Sequence, residues 1–225
     1  MGVALIVAGC VLAVVVLVIT LIRWSIRMAK ERTAAMSDFA AGLELEFFES
    51  GHEELLSRLA TFQLFNSGHS RRMKNVIIGK TELASIAIFD YRYTTGGGKN
   101  QSTHNQTVVT MESESLALPN FTMRPEHLFD RVGSALGFQD IDFDDHPQFS
   151  QSFVLKGKDE AAIREFFDPQ ILDFFADRAG ICFEGTAGRF IYFRGGTTQS
   201  TDDLRKYLEE GYSVYQAFTE RLSRG

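Results

Sequence analysis

The chain has 225 residues, two cysteines and a formal net charge of −6, and its apolar content is that of a folded chain rather than a disordered one. Up to Met36, Arg23, Arg27, Lys30 and Arg32 stand against the single acid Glu31; that stretch carries +3, so the remainder carries −9. An acidic remainder repels phosphate backbones and excludes nucleic acid as a general partner, and two cysteines, one inside an apolar run, exclude a disulfide framework.

From Val3 to Ile22 no residue is charged. A helix over that stretch rises ~30 Å, the thickness of a bilayer's hydrocarbon core. Trp24 follows at the level of the lipid headgroups, flanked by Arg23 and Arg27, and these three are the expected interfacial anchors. A secretory signal would carry its bases before the apolar run, whereas here they all come after it. Positive charge stays inside, so the chain is expected to cross an inner membrane once, contacting the bilayer through residues 3–22, with its C-terminal domain in the cytoplasm. Val7-Ala8-Gly9-Cys10 imitates a lipidation signal, but too few apolar residues precede Cys10 and the run continues past it. Cys10 is therefore read as a small helix residue.

The alanine-rich, charged segment to Gly42 continues the anchor helix or forms a juxtamembrane helix. Leu43, Leu45 and Phe47 alternate with Glu44 and Glu46 as in a short strand. Ser50 and Glu53 have capping-box spacing before a helix presenting Leu55, Leu56, Leu59, Phe62 and Phe65. The β-branched and aromatic runs Val76–Gly79, Leu83–Tyr93 and Gln106–Met111 predict an antiparallel hairpin or meander with a glycine-rich loop after Tyr93. Leu116 to Met123, interrupted by Pro119, predicts an edge strand. Pro125 suits the start of a helix carrying Leu128, Phe129, Val132 and Leu136.

Further along, Phe149 to Gly157 reads as a strand, and Asp159 and Asp168 as caps of two helices. Ile181–Gly185 and Arg189–Arg194 pair as a hairpin about Gly188, and a last helix over Asp202–Leu222 presents Leu204, Tyr207, Leu208, Tyr212, Tyr215, Phe218 and Leu222 on one stripe. Strands gather first and helices intersperse later without βαβ alternation, so the class is α+β with a mostly antiparallel sheet. The expected organisation is an anchor over 1–24, a juxtamembrane helix over 25–42 and a globular domain over 43–225, with a candidate lobe boundary near 135–148.

Several motifs fail on spacing. Gly96-Gly97-Gly98-Lys99 lacks the first glycine of a nucleotide loop, has Asn100 where Ser or Thr is needed, and lies between strands. Asp140-Ile141-Asp142-Phe143-Asp144-Asp145 lacks the glycine and the final glutamate of a calcium loop. The histidines at 52, 69, 104, 127 and 146 have no metal-binding spacing, and Cys182 sits in an apolar strand beside Phe183. No cofactor, metal or catalytic residue is assigned.

Arg71, Arg72 and Lys74 form a local basic cluster in the acidic domain, expected in the turn between the first helix and the strands, where they contact anionic lipid or a protein partner or pair with acids of the domain itself. The function this supports is a non-catalytic interaction domain at the cytoplasmic face, binding an unknown protein or lipid. The rival is a membrane-tethered enzyme in which carboxylates such as Asp90 or Glu184 converge in a cleft, and an enclosed pocket holding carboxylates or His69 would favour it. The stretches Phe65-Asn66-Ser67-Gly68-His69-Ser70-Arg71-Arg72, Asn75–Gly79, Phe89–Gly96, Asp140–Phe143 and Glu184-Gly185 resemble a group of uncharacterised bacterial proteins with a short N-terminal membrane span. The likeness spans residues 40 to 215; it implies a bacterial inner-membrane location and brings no activity.

Overall fold

In the computed structural model, which describes residues 2–126, 140–178 and 180–224, the apolar segment and the charged one after it form a single helix, α1 (Gly2–Ala41). Nothing between Cys10 and Ala41 breaks a helix, and the amide of Gly42 closes it on the carbonyl of Asp38 at 2.9 Å. Its two halves differ. Every large exposed apolar residue of the described chain except Leu83 and Tyr212 lies on α1 between Ile6 and Met28, whereas Met36 and Ala40 are fully buried.

There follow β1 (Glu46–Ser50), α2 (Glu53–Leu59), a tight turn at Gln63–Asn66, then β2 (His69–Lys80), β3 (Ser85–Thr95) and β4 (Ser102–Glu112). Beyond them come β5 (Phe121–Pro125), α3 (Pro147–Ser152), β6 (Phe153–Gly157), α4 (Glu160–Phe166), α5 (Pro169–Ala176), β7 (Cys182–Thr186), β8 (Arg189–Phe193) and α6 (Leu204–Arg224). The strands make one sheet of eight in the order β1-β2-β3-β4-β8-β7-β5-β6, antiparallel throughout. The fold is α+β.

Because side chains alternate across a strand, the sheet separates two cores. One holds Met36 and Ala40 of α1 with Ile77, Ile88 and Val109, and continues through phenylalanines 121, 166, 167, 175, 183, 190 and 218 under α4, α5 and α6. That cluster accounts for much of the chain's phenylalanine: Phe121 and Phe183 stack at 5.8 Å, and Phe218 meets Phe183 edge-on at 5.3 Å. The other core packs α2 and the turn after it, through Leu55, Leu59, Phe62 and Phe65, against Phe89, Tyr91 and Ile191. Helix α6 approaches the sheet at Gly211, where an added Cβ would stand 3.2 Å from Val109. Tyr192 of β8 and Arg194, just past its end, both donate to Glu210 of α6 and fasten the helix to the sheet.

The caps at Asp159 and Asp168 form as expected, accepting from the amides of Ala162 and Ile171, and β7 and β8 form the expected hairpin. Other expectations are corrected. Ser50 stays in β1, and Gly51 turns the chain at φ +57°, so the cap of α2 is His52, whose Nδ1 accepts from the amide of Leu55 at 3.1 Å. Strand β5 lies inside the sheet, between β7 and β6, since Pro119 precedes it and Pro125 only ends it. Pro147 opens a helical turn, so residues 147–152 are α3 and only Phe153–Gly157 is strand. On α6 the buried stripe runs through Gly211 and Val214, leaving Tyr212 exposed. The helix expected after Pro125 lies outside the described residues.

Candidate functional site

Helix α1 packs against β1 and β2 and reaches β3 through the side chain of Arg32. Thr33 donates to Asn75 (2.8 Å), Arg32 meets Asp90, and further on Met36 and Ala40 join the core that holds Ile77 and Ile88. The apolar half of α1 therefore leaves the sheet at the end where β3 turns into β4, and the glycine-rich turn Gly96–Asn100 lies at that end.

Asp90 is the node of this contact. Arg32 grips it with two hydrogen bonds, Nη2 to Oδ1 at 3.0 Å and Nε to Oδ2 at 3.1 Å, while Asn75 Nδ2 donates at 2.9 Å and Thr107 Oγ1 at 3.1 Å. Four donors fill the carboxylate's acceptor sites, and a fork of this kind is a strong, directional pairing. Asn75 reaches it because β2 bulges: Asn75 and Val76 stand opposite Phe89 alone, and Asn75 adopts φ +52°, a conformation asparagine tolerates better than most residues.

Around this node two cross-strand rows face α1. Arg72, Arg92 and Asn105 are aligned in one, and Lys74, Asp90 and Thr107 in the next. All of these but Thr107 floor a recess of about 300 Å³ whose wall includes Ala29, Arg32, Thr33 and Thr198. Arg72, Lys74 and Arg92 are exposed, and among the described residues none of them is in an ion pair. The recess thus holds four cations against one carboxylate, in a domain that is otherwise acidic.

The basic cluster expected in a turn is therefore inside β2. Arg72 and Lys74 share the recess face, but Arg71 does not. Its guanidinium is spent on the carbonyls of Asn66, Ser67 and Gly68, at 2.9–3.2 Å, and fastens the loop before β2. That loop runs so close to β3 that a Cβ on Gly68, at φ +59°, would overlap the carbonyl of Thr94. Trp24 and Arg23 are exposed on α1, and Arg27 pairs with Glu31 one turn on, at 2.7 Å. The residues that sequence reasoning missed are Arg92 and the Arg32–Asn75–Thr107 frame. The visible signal for Arg92 was its place two residues from Asp90 in a strand.

The carboxylates of the enzyme reading do not converge. Glu184 lies in the second core, where Arg124 donates at 2.7 Å and the backbone amides of Gln63 and Leu64 at 2.5 and 3.1 Å. Burial pushes its carboxyl up, while Arg124 and the two amides pull it down. Burial likewise raises the Cys182 thiol beside Arg124. His69 is exposed and bonds Ser70 and Gly96. Asp140 caps the amide of Leu155 at 2.9 Å, and no cluster of three or more metal-ligating side chains occurs among the described residues. One described helix, over Gly9–Ala41, is long and apolar enough to cross a membrane.

No family model matches the chain, and no curated protein does. Among solved structures it is similar to the crystal structure of the mycobacterial trehalose monomycolate transport factor A, TtfA, with a TM-score of 0.57 and 12% identity over 85% of this chain and 94% of that one. At that identity the likeness concerns the fold.

Proposed function

We propose that this is a membrane-tethered, non-catalytic interaction domain held at the cytoplasmic face by one spanning helix. The observation that carries the reading is the unbroken passage of α1 from an exposed apolar half into a half locked on the sheet by Arg32, Thr33, Met36 and Ala40. A flexible linker would let the domain wander; a continuous helix fixes its distance and orientation, which is of use to a surface that must meet something in or on the bilayer. The basic flank after Ile22 supports the cytoplasmic side. The engagement of Asp90 and Glu184 in structural bonds favours binding over chemistry. So does the fold's likeness to a protein named a trehalose monomycolate transport factor.

Two measurements on the full chain test this. After alkaline carbonate extraction it should stay with the membranes, and a C-terminal alkaline phosphatase fusion should be inactive, since that enzyme folds only outside the cytoplasm. Release by carbonate would end the tether, and strong phosphatase activity would reverse the orientation.

A further inference from the structure

We infer that the recess beside α1 binds the phosphate of an anionic phospholipid headgroup, held by Arg72, Lys74 and Arg92. The inference rests on reading α1 as the spanning helix.

Position comes first. Ala29, in the wall of the recess, is seven residues beyond Ile22, about 10 Å further along a helix. The headgroup layer of one leaflet is itself about 5–7 Å deep, so the recess opens within a few ångströms of the lipid phosphates. The hairpin beside it reaches further. From Asp90, which is pinned to Arg32, β3 rises for about 17 Å to Thr95, while α1 needs only about 12 Å to go from Arg32 back to Trp24. The turn Gly96–Asn100, with exposed Lys99, is thus long enough in reach, from the point where Arg32 holds Asp90, to span the distance back to Trp24.

Charge and chemistry agree with that position. Arg72 and Arg92 are direct cross-strand partners on one face, an arrangement that repels, and among the described residues no acid forms an ion pair with either. Asp90 cannot neutralise them, because its oxygens are filled by Arg32, Asn75 and Thr107. A phosphate between the two guanidinium forks would accept from both, with Lys74 as a third donor and the Asn105 amide beside them. A recess of about 300 Å³ is at the small end of ligand sites; it suits a phosphate with its glycerol and leaves the acyl chains in the bilayer.

The test uses the full chain in neutral detergent, titrated with short-chain phosphatidylglycerol, with phosphatidylcholine of the same chain length and with inorganic phosphate, and bound species are counted by native mass spectrometry. Phosphatidylglycerol should bind, and phosphatidylcholine should not. The triple variant Arg72→Gln, Lys74→Gln, Arg92→Gln should bind about a hundredfold more weakly, at roughly fivefold per cation. Lys80→Gln, at the far end of the same strand, should bind as the parent does. Equal binding by the triple variant overturns the site, and inorganic phosphate binding as tightly as the lipid overturns the headgroup assignment. The melting temperature of the triple variant should be no lower than the parent's, because a repulsion has been removed; if that variant does not fold, Arg92→Gln alone, with about a fivefold loss expected, replaces it. Carbonate extraction of the same membranes separates the two readings. A chain that is released sinks the tether, whereas a chain that is retained but ignores phosphatidylglycerol sinks only the site.

Discussion

Two arginine–carboxylate pairs stand on opposite faces of the same sheet, and their surroundings set them apart. Arg124 and Glu184 are sealed in the core under α2, their side chains 10% and 2% exposed, and every acceptor of Glu184 points at a donor of the protein. Arg32 and Asp90 lie at the mouth of a recess, 18% and 19% exposed, with three further cations around them that have no ion-pair partner among the described residues. The first pair is a closed interior bond that ties the turn at Gln63–Asn66 to the sheet. The second does two things at once: it docks the helix that carries the apolar segment, and it leaves a surplus of positive charge beside it. Burial with complete pairing marks structure, whereas charge left over after pairing marks a place for something else.

The sharpest way to break this contrast is Glu184→Ala. It leaves Arg124 buried without its counter-ion and the amides of Gln63 and Leu64 without an acceptor, so urea denaturation of the full chain in detergent should show a loss of about 3–5 kcal/mol. A loss below 1 kcal/mol would mean that the pair is not sealed as described. Arg32→Ala comes next. Its partner keeps the amide of Asn75 and the hydroxyl of Thr107 and gains access to water, so the cost should be about 1–2 kcal/mol. Its more telling consequence is local. Hydrogen exchange over residues 33–41 should speed up while the β7–β8 hairpin keeps its protection, because α1 loosens from the sheet without the sheet coming apart. Uniform acceleration would show that the docking of α1 and the integrity of the sheet are a single cooperative event.

How much of this the amino-acid sequence discloses depends on how local each signal is. The apolar run of α1, the caps at Asp159 and Asp168, the β7–β8 hairpin about Gly188 and the stripe of α6 each depend on residues a few positions apart, and each is where it was expected. The stripe misled only at Tyr212, since Gly211, with no side chain of its own, marks the closest approach to Val109. The recess was partly visible as Arg71, Arg72 and Lys74, but not its composition. Arg72 and Arg92 meet only through the register of β2 on β3, which two irregularities shift, one between His69 and Arg72 and one between Lys74 and Ile77. With a side-chain period of two, such shifts decide which of Arg71 and Arg72 faces the recess, and nothing in composition reveals them. Arg32, counted only as a charge flanking the apolar run, gains its meaning from Asp90, 58 residues away.

The smallest expected effect lies at the recess end of the β3–β4 hairpin and reports on that end alone. His104 stacks on Tyr93 at 4.7 Å and bonds Thr95 at 2.9 Å, and burial holds its pKa below the ordinary imidazole value. With a folded-state value beneath the unfolded one of about 6.5, the unfolded chain takes up the proton first as pH falls. Stability from this residue is therefore complete above that pH and is lost as pH drops through it toward the depressed value. Once divided by the intrinsic exchange rate, which itself falls with pH, the protection of the hairpin should drop below about pH 6.5 in the parent and stay level in His104→Gln. The core around Glu184 should follow much less, because its donors are Arg124 and the amides of Gln63 and Leu64, whereas His104 bonds Thr95 and meets that core through Tyr93. If the hairpin loosened and the Glu184 core loosened with it, the two ends of the sheet would form one cooperative unit, and the contrast between a sealed pair and an open one would reduce to a difference in exposure.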